Sequence, residues 1–191
     1  MILSRKMVDV LRKSFANNND HHLEHLVFVY GTLKKNQPNH SVLFDRKNGQ
    51  AKFVCIGQTV DRWPLVIASK YNIPYLLYKS NTGHKIKGEI YEIDNEMLKF
   101  LDEFEGHPQY YTRRQISIST NITDNDDNHQ QIIKPWAYFL DKFRSEMLQL
   151  PMYDDYNSYG DHNLRYVERC DRQSGPNLNC GHTEKSEVII D

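Results

Sequence analysis

The chain has 191 residues, enough for one domain with a sizeable hydrophobic core. Its 24 basic and 25 acidic side chains nearly cancel, and no stripe of Lys and Arg with interleaved aromatic residues stands out, which argues against a nucleic-acid-binding surface. No apolar run approaches the roughly 20 residues of a membrane-spanning helix. The three cysteines, Cys55, Cys170 and Cys180, are too few for a disulfide framework and fit a reducing compartment. We therefore expect a soluble, cytosolic protein with a small-molecule ligand; its oligomeric state stays open, and a monomer is compatible with the sequence.

Both ends of the chain differ in composition from its middle. Residues 1–25 are basic at first and then rich in Asn, without the continuous apolar region of a secretory signal. Their basic character leaves a mitochondrial presequence as an alternative, although Asp9 counts against it. Residues 171–191 have the composition of a disordered tail. We predict a flexible extension over 1–25, a folded domain over 26–170 and a disordered tail over 171–191.

The first strand of the predicted domain ends in a glycine turn. Residues 26–30 combine β-branched, aromatic and aliphatic side chains without a polar break, which predicts a short strand buried on both faces. At Gly31 the missing Cβ allows the peptide groups of Gly31, Thr32 and Leu33 to approach a small ligand closely. Such a turn could bind an anion or polarise a carbonyl. It is also a common structural feature, so the residues alone leave both interpretations open.

Short strands at close spacing dominate the rest of the domain, with proline residues Pro64 and Pro74 bounding two of them. A short helix is predicted over 40–45, and the polar stretch 121–131 is predicted as a loop. Strands are predicted over 26–30, 51–60, 65–71, 75–78, 86–93, 111–120 and 136–140. This pattern indicates an α+β fold, namely a small mixed, partly closed β-barrel with short flanking helices.

One longer helix carries a cluster of acidic residues. Asp94 suits the N-cap position, and apolar residues recur at helical spacing from Met97 to Phe104, before the break at Gly106. Glu105 therefore lies at the end of the helix, next to its apolar face. The remaining acidic side chains fit a solvated helix face, the usual state of charge on an exposed helix. These residues are Glu96, Asp102 and Glu103.

An ordered series of motifs resembles the γ-glutamylamine cyclotransferases, a branch of the γ-glutamylcyclotransferase-like (AIG2-like) family. The series opens with VFVYGTL at 27–33 and QPNH at 37–40, and it closes with LRY at 164–166. Between them the matching motifs are PLVIA at 64–68, NIP at 72–74, GEIY at 88–91 and MLKFLDEFE at 97–105. The resemblance covers roughly residues 26–169.

The resemblance implies a set of site residues. Glu105 occupies the position of the family's catalytic glutamate. The γ-glutamyl pocket would be lined by Tyr30, Gly31, Thr32 and Leu33, mainly through backbone N–H groups. Tyr111 would donate a hydrogen bond to the substrate, although plain core packing is an alternative. Four further residues match family positions without an assignable role: Asn39, His40, Arg165 and Tyr166.

The implied reaction requires no metal or cofactor, because a γ-glutamyl amine carries its own nucleophile. The α-amine attacks the δ-carbonyl and closes a five-membered lactam, which releases 5-oxoproline and the free amine. A base must take the amine proton, and partial burial of Glu105 among Phe104, Tyr110 and Tyr111 would raise its pKa for this task. The family's main substrate is γ-glutamyl-ε-lysine, the remnant left when transglutaminase-crosslinked protein is degraded.

Two other functions remain open on the sequence. One is a cyclotransferase that acts on γ-glutamyl amino acids or glutathione, and the other is a non-catalytic binding module on the same fold. A metal site is not indicated, because Cys170, Cys180 and His182 lack the spacing of a structural zinc site. Cys55 fits a small core residue rather than a nucleophile.

Overall fold

The computed structural model describes residues 23–120 and 131–172, so the predicted extension and tail lie almost entirely outside the described residues. The strands are β1 (His25–Val29), β2 (Ala51–Thr59), β3 (Leu65–Ala68), β4 (Ile73–Leu76), β5 (Lys87–Ile93), β6 (Thr112–Gln115), β7 (Ile118–Thr120), β8 (Gln131–Ile133), β9 (Trp136–Phe139) and β10 (Met152–Tyr153). The helix α1 spans Asn95–Glu105, and short 3₁₀ turns cover His40–Leu43, Ser145–Gln149 and Arg169–Asp171.

The larger sheet is curled. Its seven strands follow the order β6-β9-β1-β5-β2-β7-β8, in which β1 and β9 run parallel and the other neighbours antiparallel. In a flat sheet β6 and β7 would be roughly 24 Å apart. The two residues between them reach only about 11 Å, so the two edges must approach each other. The short link from β8 to β9 imposes the same condition.

A second sheet extends the curled surface. Its three strands follow the order β10-β3-β4, and the main chain of Leu77 and Leu140 joins it to the larger sheet through a parallel bridge. The bridge is made by N–H groups of Leu140 and Tyr78, which donate to Leu76 O at 2.9 Å and to Leu140 O at 3.0 Å. The predicted α+β class with a mixed, partly closed barrel is therefore confirmed.

Strand β1 is buried on both faces, as the sequence predicts. Val27 and Val29 belong to one hydrophobic cluster, with residues of α1 and of the 3₁₀ turns at His40–Leu43 and Ser145–Gln149. Phe28 and Tyr30 belong to a second cluster on the opposite face of the strand. Because consecutive side chains point to opposite faces, β1 packs into both parts of the core and ends deep within the molecule.

Two predicted strands have different bounds in the structure. The strand predicted over 65–71 ends at Ala68, since Ser69 and Asn72 adopt left-handed φ angles of 65° and 54° in a tight turn. The next strand therefore begins at Ile73 rather than at residue 75, and Ile73 pairs with Ala68.

The strand predicted over 111–120 is in fact two strands, β6 and β7. The chain leaves β6 at one edge of the sheet and enters β7 near the other edge, so the two segments have different partners. Short strands β8 and β10 were not predicted. A run of two or three residues is too short to show alternation.

Helix α1 has the predicted N-cap, and it ends at the predicted break. The Asp94 carboxylate accepts hydrogen bonds from Met97 N at 2.8 Å and from Gln50 N at 3.0 Å, and it is buried. At the other end Gly106 takes the left-handed conformation, with φ of 65°. These caps fix the length of the helix, and Glu105 is consequently its last residue.

We expect Asp94→Ala to lower the free energy of unfolding by about 2 kcal/mol, because it leaves two buried N–H groups without an acceptor. Urea unfolding measures the change. The exposed Glu103→Ala on the same helix is the control and should stay within about 0.5 kcal/mol of wild type. Equal effects of the two substitutions would contradict the capping role of Asp94.

Candidate active site

One cavity brings together the end of β1, the end of α1 and the segment 166–172. Every residue that the sequence assigns to the site lines this cavity: Tyr30, Gly31, Thr32, Leu33, Glu105 and Tyr111. They come from two separate parts of the chain, 30–33 and 105–111, which the fold places side by side. The cavity is therefore the candidate active site.

The turn after β1 lines the cavity. Its carbonyls are occupied: Gly31 O accepts from Lys34 N at 3.1 Å and Thr32 O from Asn39 N at 2.9 Å. The His40 ring lies 3.0 Å from Leu33 O. Within the described part of the chain, the N–H groups of residues 31–33 have no acceptor. N–H groups that line a cavity without an internal acceptor can donate to a ligand, and successive N–H groups of a turn favour an anion.

Gly31 is required by a close contact rather than by its φ angle. Its backbone is not left-handed, but a Cβ at this position would lie 3.1 Å from Cγ of Pro74. Pro74 lies in β4 and lines the same cavity. A larger side chain at position 31 would therefore push Pro74 away or fill the cavity next to the free N–H groups.

Glu105 presents a carboxylate that has no hydrogen-bond donor among the described residues. Its side chain is only partly exposed, on the side of the cavity. Burial raises its pKa from 4.5 to about 7, while the positive charge of Arg169 acts in the opposite direction. The negative end of the helix dipole also disfavours a charge at this position. Glu105 is thus poised to exchange a proton near neutral pH.

Several tyrosine side chains line the cavity together with Glu105. Tyr111 stacks on Tyr75 with ring centroids 6.0 Å apart, and the hydroxyls of Tyr75 and Tyr110 are 3.0 Å apart. The Tyr111 hydroxyl has no partner among the residues that the structure describes. Burial, and to a smaller extent nearby charges that include Glu105, raises the pKa of Tyr111 well above its usual value. The hydroxyl therefore stays protonated and can donate a hydrogen bond into the cavity.

A series of hydrogen bonds links Tyr30, which lines the cavity, to Asp102 in α1. The Tyr30 hydroxyl donates to Tyr138 O at 2.8 Å, and the Tyr138 hydroxyl donates to Asp102 Oδ1 at 2.7 Å. Arg113 donates to the other oxygen of Asp102 at 3.0 Å. The expectation that Asp102 belongs to a solvated helix face was wrong, because the neighbouring strand β9 brings Tyr138 against it.

Of the four residues left without a role, two line the cavity and two do not. The Asn39 side chain donates to Thr32 Oγ1 at 2.9 Å and to the Tyr166 hydroxyl at 3.1 Å, which fixes the turn. His40 and Arg165 lie outside the cavity lining. Arg165 instead stacks over the exposed ring of Tyr159, at 5.0 Å from its centroid.

Several lining residues escaped the sequence reasoning: Ile73, Pro74, Tyr138, Arg169 and Arg172. The arginines lie in a charged segment with no strand or helix periodicity. Hydrogen bonds to other parts of the chain hold that segment in place. Tyr166 N donates to Ser158 Oγ at 3.0 Å, and Val167 N donates to Tyr71 O at 3.0 Å. In the sequence, only the Arg residues that follow the LRY motif could have indicated that this segment lines the site.

Outside the cavity, the described residues show neither a metal site nor a membrane-spanning helix. Among residues 23–120 and 131–172, no group of three His, Cys, Asp or Glu side chains could hold a metal ion. Cys180 and His182 lie outside these ranges, Cys170 is exposed, and Cys55 is half-buried. No helix in the described part of the chain is long and apolar enough to cross a membrane.

The raised pKa of Glu105 makes stability depend on pH. Because the fold favours the protonated acid, the contribution of this group is present below pH 4.5 and is lost as pH rises through about 7. The neutral Glu105→Gln should therefore exceed wild type in free energy of unfolding by roughly 1–3 kcal/mol at about pH 8, and by almost nothing at about pH 4.5. Urea unfolding at both pH values, with Glu103→Gln as the exposed control, tests this. A difference that does not change with pH would contradict it.

Comparison with known proteins agrees with the geometry. Residues 27–158 match the family described as "Gamma-glutamyl cyclotransferase, AIG2-like". The chain is 43% identical over 146 residues to the gamma-glutamylaminecyclotransferase of Mus musculus, which covers 76% of this chain and 98% of the relative. It is 43% identical over 152 residues to the Homo sapiens protein of that name, which covers 77% of this chain and 99% of the relative.

A solved structure extends the comparison to three dimensions. The crystal structure of an AIG2-like protein from Mus musculus superposes with a TM-score of 0.72 at 42% sequence identity. The superposition covers 79% of this chain and all of the other chain. The match to the family includes β1, the turn after it and Glu105 at the end of α1. The chain therefore belongs to the γ-glutamyl cyclotransferase, AIG2-like family.

Proposed function

We propose that this protein is a γ-glutamylamine cyclotransferase that converts γ-glutamyl amines, with γ-glutamyl-ε-lysine as the main case, into 5-oxoproline and the free amine. One observation supports the proposal most directly. A carboxylate with a pKa of about 7, Glu105, faces the same cavity as a turn whose N–H groups have no acceptor in the described chain. The names of the relatives from Mus musculus and Homo sapiens support the same activity.

In the proposed mechanism Glu105 first acts as the base. It takes a proton from the α-ammonium group of the γ-glutamyl moiety, and the freed amine attacks the δ-carbonyl carbon. A C–N bond forms and the carbonyl becomes a tetrahedral oxyanion. Glu105 then returns the proton to the departing nitrogen and the original amide C–N bond breaks. The second proton that the attacking nitrogen must lose passes through Glu105 to the released amine, so that the neutral lactam and an ammonium ion are the products. A pKa of about 7 allows one group to serve in both steps.

The turn after β1 would hold an anionic part of the same moiety. The N–H groups of Gly31, Thr32 and Leu33 can donate to the α-carboxylate of the substrate or to the oxyanion, in a site that excludes most water. The Tyr111 hydroxyl, which also lines the cavity, would donate another hydrogen bond. Together these donors keep the substrate folded, so that the amine and the carbonyl meet with little further loss of entropy.

We further propose that the substrates are crosslink remnants from the breakdown of transglutaminase-modified protein, and that the enzyme works in the cytosol. The reaction involves no oxidation, and the substrate supplies its own nucleophile. The proposed chemistry therefore uses only side chains and peptide groups of this chain. A protein that merely binds γ-glutamyl compounds would not need a carboxylate with a pKa matched to proton transfer at neutral pH.

The decisive test incubates the purified protein with γ-glutamyl-ε-lysine and measures 5-oxoproline and lysine. Wild type should form both products, with kcat/KM rising as Glu105 loses its proton around pH 7. Glu105→Gln should lower kcat at least about a hundredfold while substrate still binds, and Glu103→Gln should retain activity. Turnover of γ-glutamyl-alanine or glutathione instead would favour the first alternative. If none of the three compounds is turned over, and Glu105→Gln leaves the biological role of the protein intact, the protein is a binding module.

The turn after β1 should depend on its peptide groups rather than on its side chains. Gly31→Val should abolish substrate binding, because the added methyl groups collide with Pro74 and intrude on the free N–H groups. Thr32→Ser keeps the hydroxyl that accepts from Asn39 and should stay within about threefold of wild-type kcat/KM. Steady-state kinetics of the two variants provide the measurement. Full activity of folded Gly31→Val would rule out this use of the turn.

A further inference from the structure

The cavity has a second, cationic wall that the proposed chemistry does not use. It is formed by Arg169 and Arg172 in the C-terminal segment, together with Tyr166. These residues lie after the region matched by the family model, which ends at residue 158. The proposed roles of Glu105 and of the turn at 31–33 do not account for two guanidinium groups here.

Both guanidinium groups are held in place by aromatic rings. Cζ of Arg169 lies 4.0 Å from the centroid of the Phe104 ring, and Nη2 of Arg169 donates to Phe104 O at 3.0 Å. Cζ of Arg172 lies 4.6 Å from the centroid of Tyr71, and its Nε donates to Val167 O at 3.2 Å. Stacking fixes the plane of each guanidinium while most of its N–H donors remain available.

Neither guanidinium forms a salt bridge within the described ranges, although the charge of Arg169 acts on Glu105. This distinguishes them from Arg113 and Arg114, which pair with Asp102 and Asp141 respectively. Both arginines of the cationic wall are only partly exposed. Arginine presents a rigid fork of donors that fits a carboxylate, and two such forks beside a cavity form a site for an anionic ligand.

The substrate of the proposed reaction offers a carboxylate at each end. The turn at 31–33 faces the γ-glutamyl end, so the amine half must extend along the rest of the cavity. In an ε-linked lysine, the α-carboxylate lies roughly 7 Å from the scissile nitrogen, given bond lengths of about 1.5 Å. The lysine end can therefore reach beyond Glu105 to a different wall.

Resting on the proposed function, we propose that Arg169 and Arg172 bind the carboxylate of the departing amine and so select amines that carry one. The preferred substrates are γ-glutamyl derivatives of ε-linked lysine, not those of simple diamines. Arg172 is a specificity residue, whereas Arg169 has the additional effect of acting on the charge of Glu105. Arg172 therefore gives the cleaner test.

The test compares two substrates that differ in one group. γ-Glutamyl-cadaverine has the methylene chain and terminal ammonium of γ-glutamyl-ε-lysine but no carboxylate on the amine half. Wild type should favour the lysine compound by about tenfold or more in kcat/KM, the effect of a charge-assisted hydrogen bond. Arg172→Met should bring this ratio close to one, and Arg172→Lys should restore part of it.

The matched control is Arg165→Met, because Arg165 lies on the same segment, stacks on a tyrosine and does not line the cavity. It should leave the substrate ratio unchanged. A wild-type ratio near one would overturn the proposal, as would an Arg172→Met variant that loses equal activity on both substrates, since the arginine would then serve the γ-glutamyl half. If wild type turns over neither compound, the proposed function fails and this inference falls with it.

A second measurement does not depend on the folding of any variant. Free lysine and cadaverine can be compared as inhibitors of the wild-type reaction with γ-glutamyl-ε-lysine. Lysine should inhibit at about tenfold lower concentration than cadaverine, because only lysine carries the carboxylate. Equal inhibition by the two amines would overturn the proposal.

Discussion

The candidate site depends on one costly arrangement, a carboxylate that is largely removed from water without a hydrogen-bond donor among the described residues. Burial of Glu105 among aromatic side chains raises its pKa to about 7, and the end of α1 adds an unfavourable dipole. Most surface carboxylates avoid this cost. Here the surrounding core maintains it, and the result is a group that can both accept and donate a proton at neutral pH.

The curled sheet is the means by which the chain maintains this arrangement. Two-residue links join strands that lie near opposite edges of the sheet, so the edges are drawn together and the barrel is partly closed. Strand β1 lies between β9 and β5 in the interior of the sheet and ends inside the molecule. The capped helix α1 ends next to it. The free N–H groups and the carboxylate are therefore held by separate, well-packed elements, which limits their relative movement.

Local patterns were sufficient to predict the elements that carry the chemistry. The apolar run before Gly31 predicted β1 and its turn, and the spacing from Asp94 to Gly106 predicted α1 with Glu105 at its end. The family resemblance then assigned roles that local patterns had left open. Those roles remain predictions, although every predicted site residue does line one cavity.

The remaining features depend on contacts between distant parts of the chain. Division of 111–120 into β6 and β7 follows from sheet closure, which alternation along the chain does not reveal. Asp102 looked like a surface residue until Tyr138 and Arg113 were placed beside it. Arg169 and Arg172 lie in a segment whose position is set by hydrogen bonds to Ser158, Tyr71 and Phe104. No periodicity within the segment encodes those contacts.

The most direct measurement is the pKa of Glu105 itself. Infrared difference spectra of the carboxyl band, recorded for wild type against Glu105→Gln across a pH titration, isolate this single group. A carboxyl that titrates near pH 7 is expected from its burial beside the cavity. A carboxyl that titrates near its ordinary value of 4.5 would show that Glu105 is well solvated, and its proposed role as both base and acid would be contradicted.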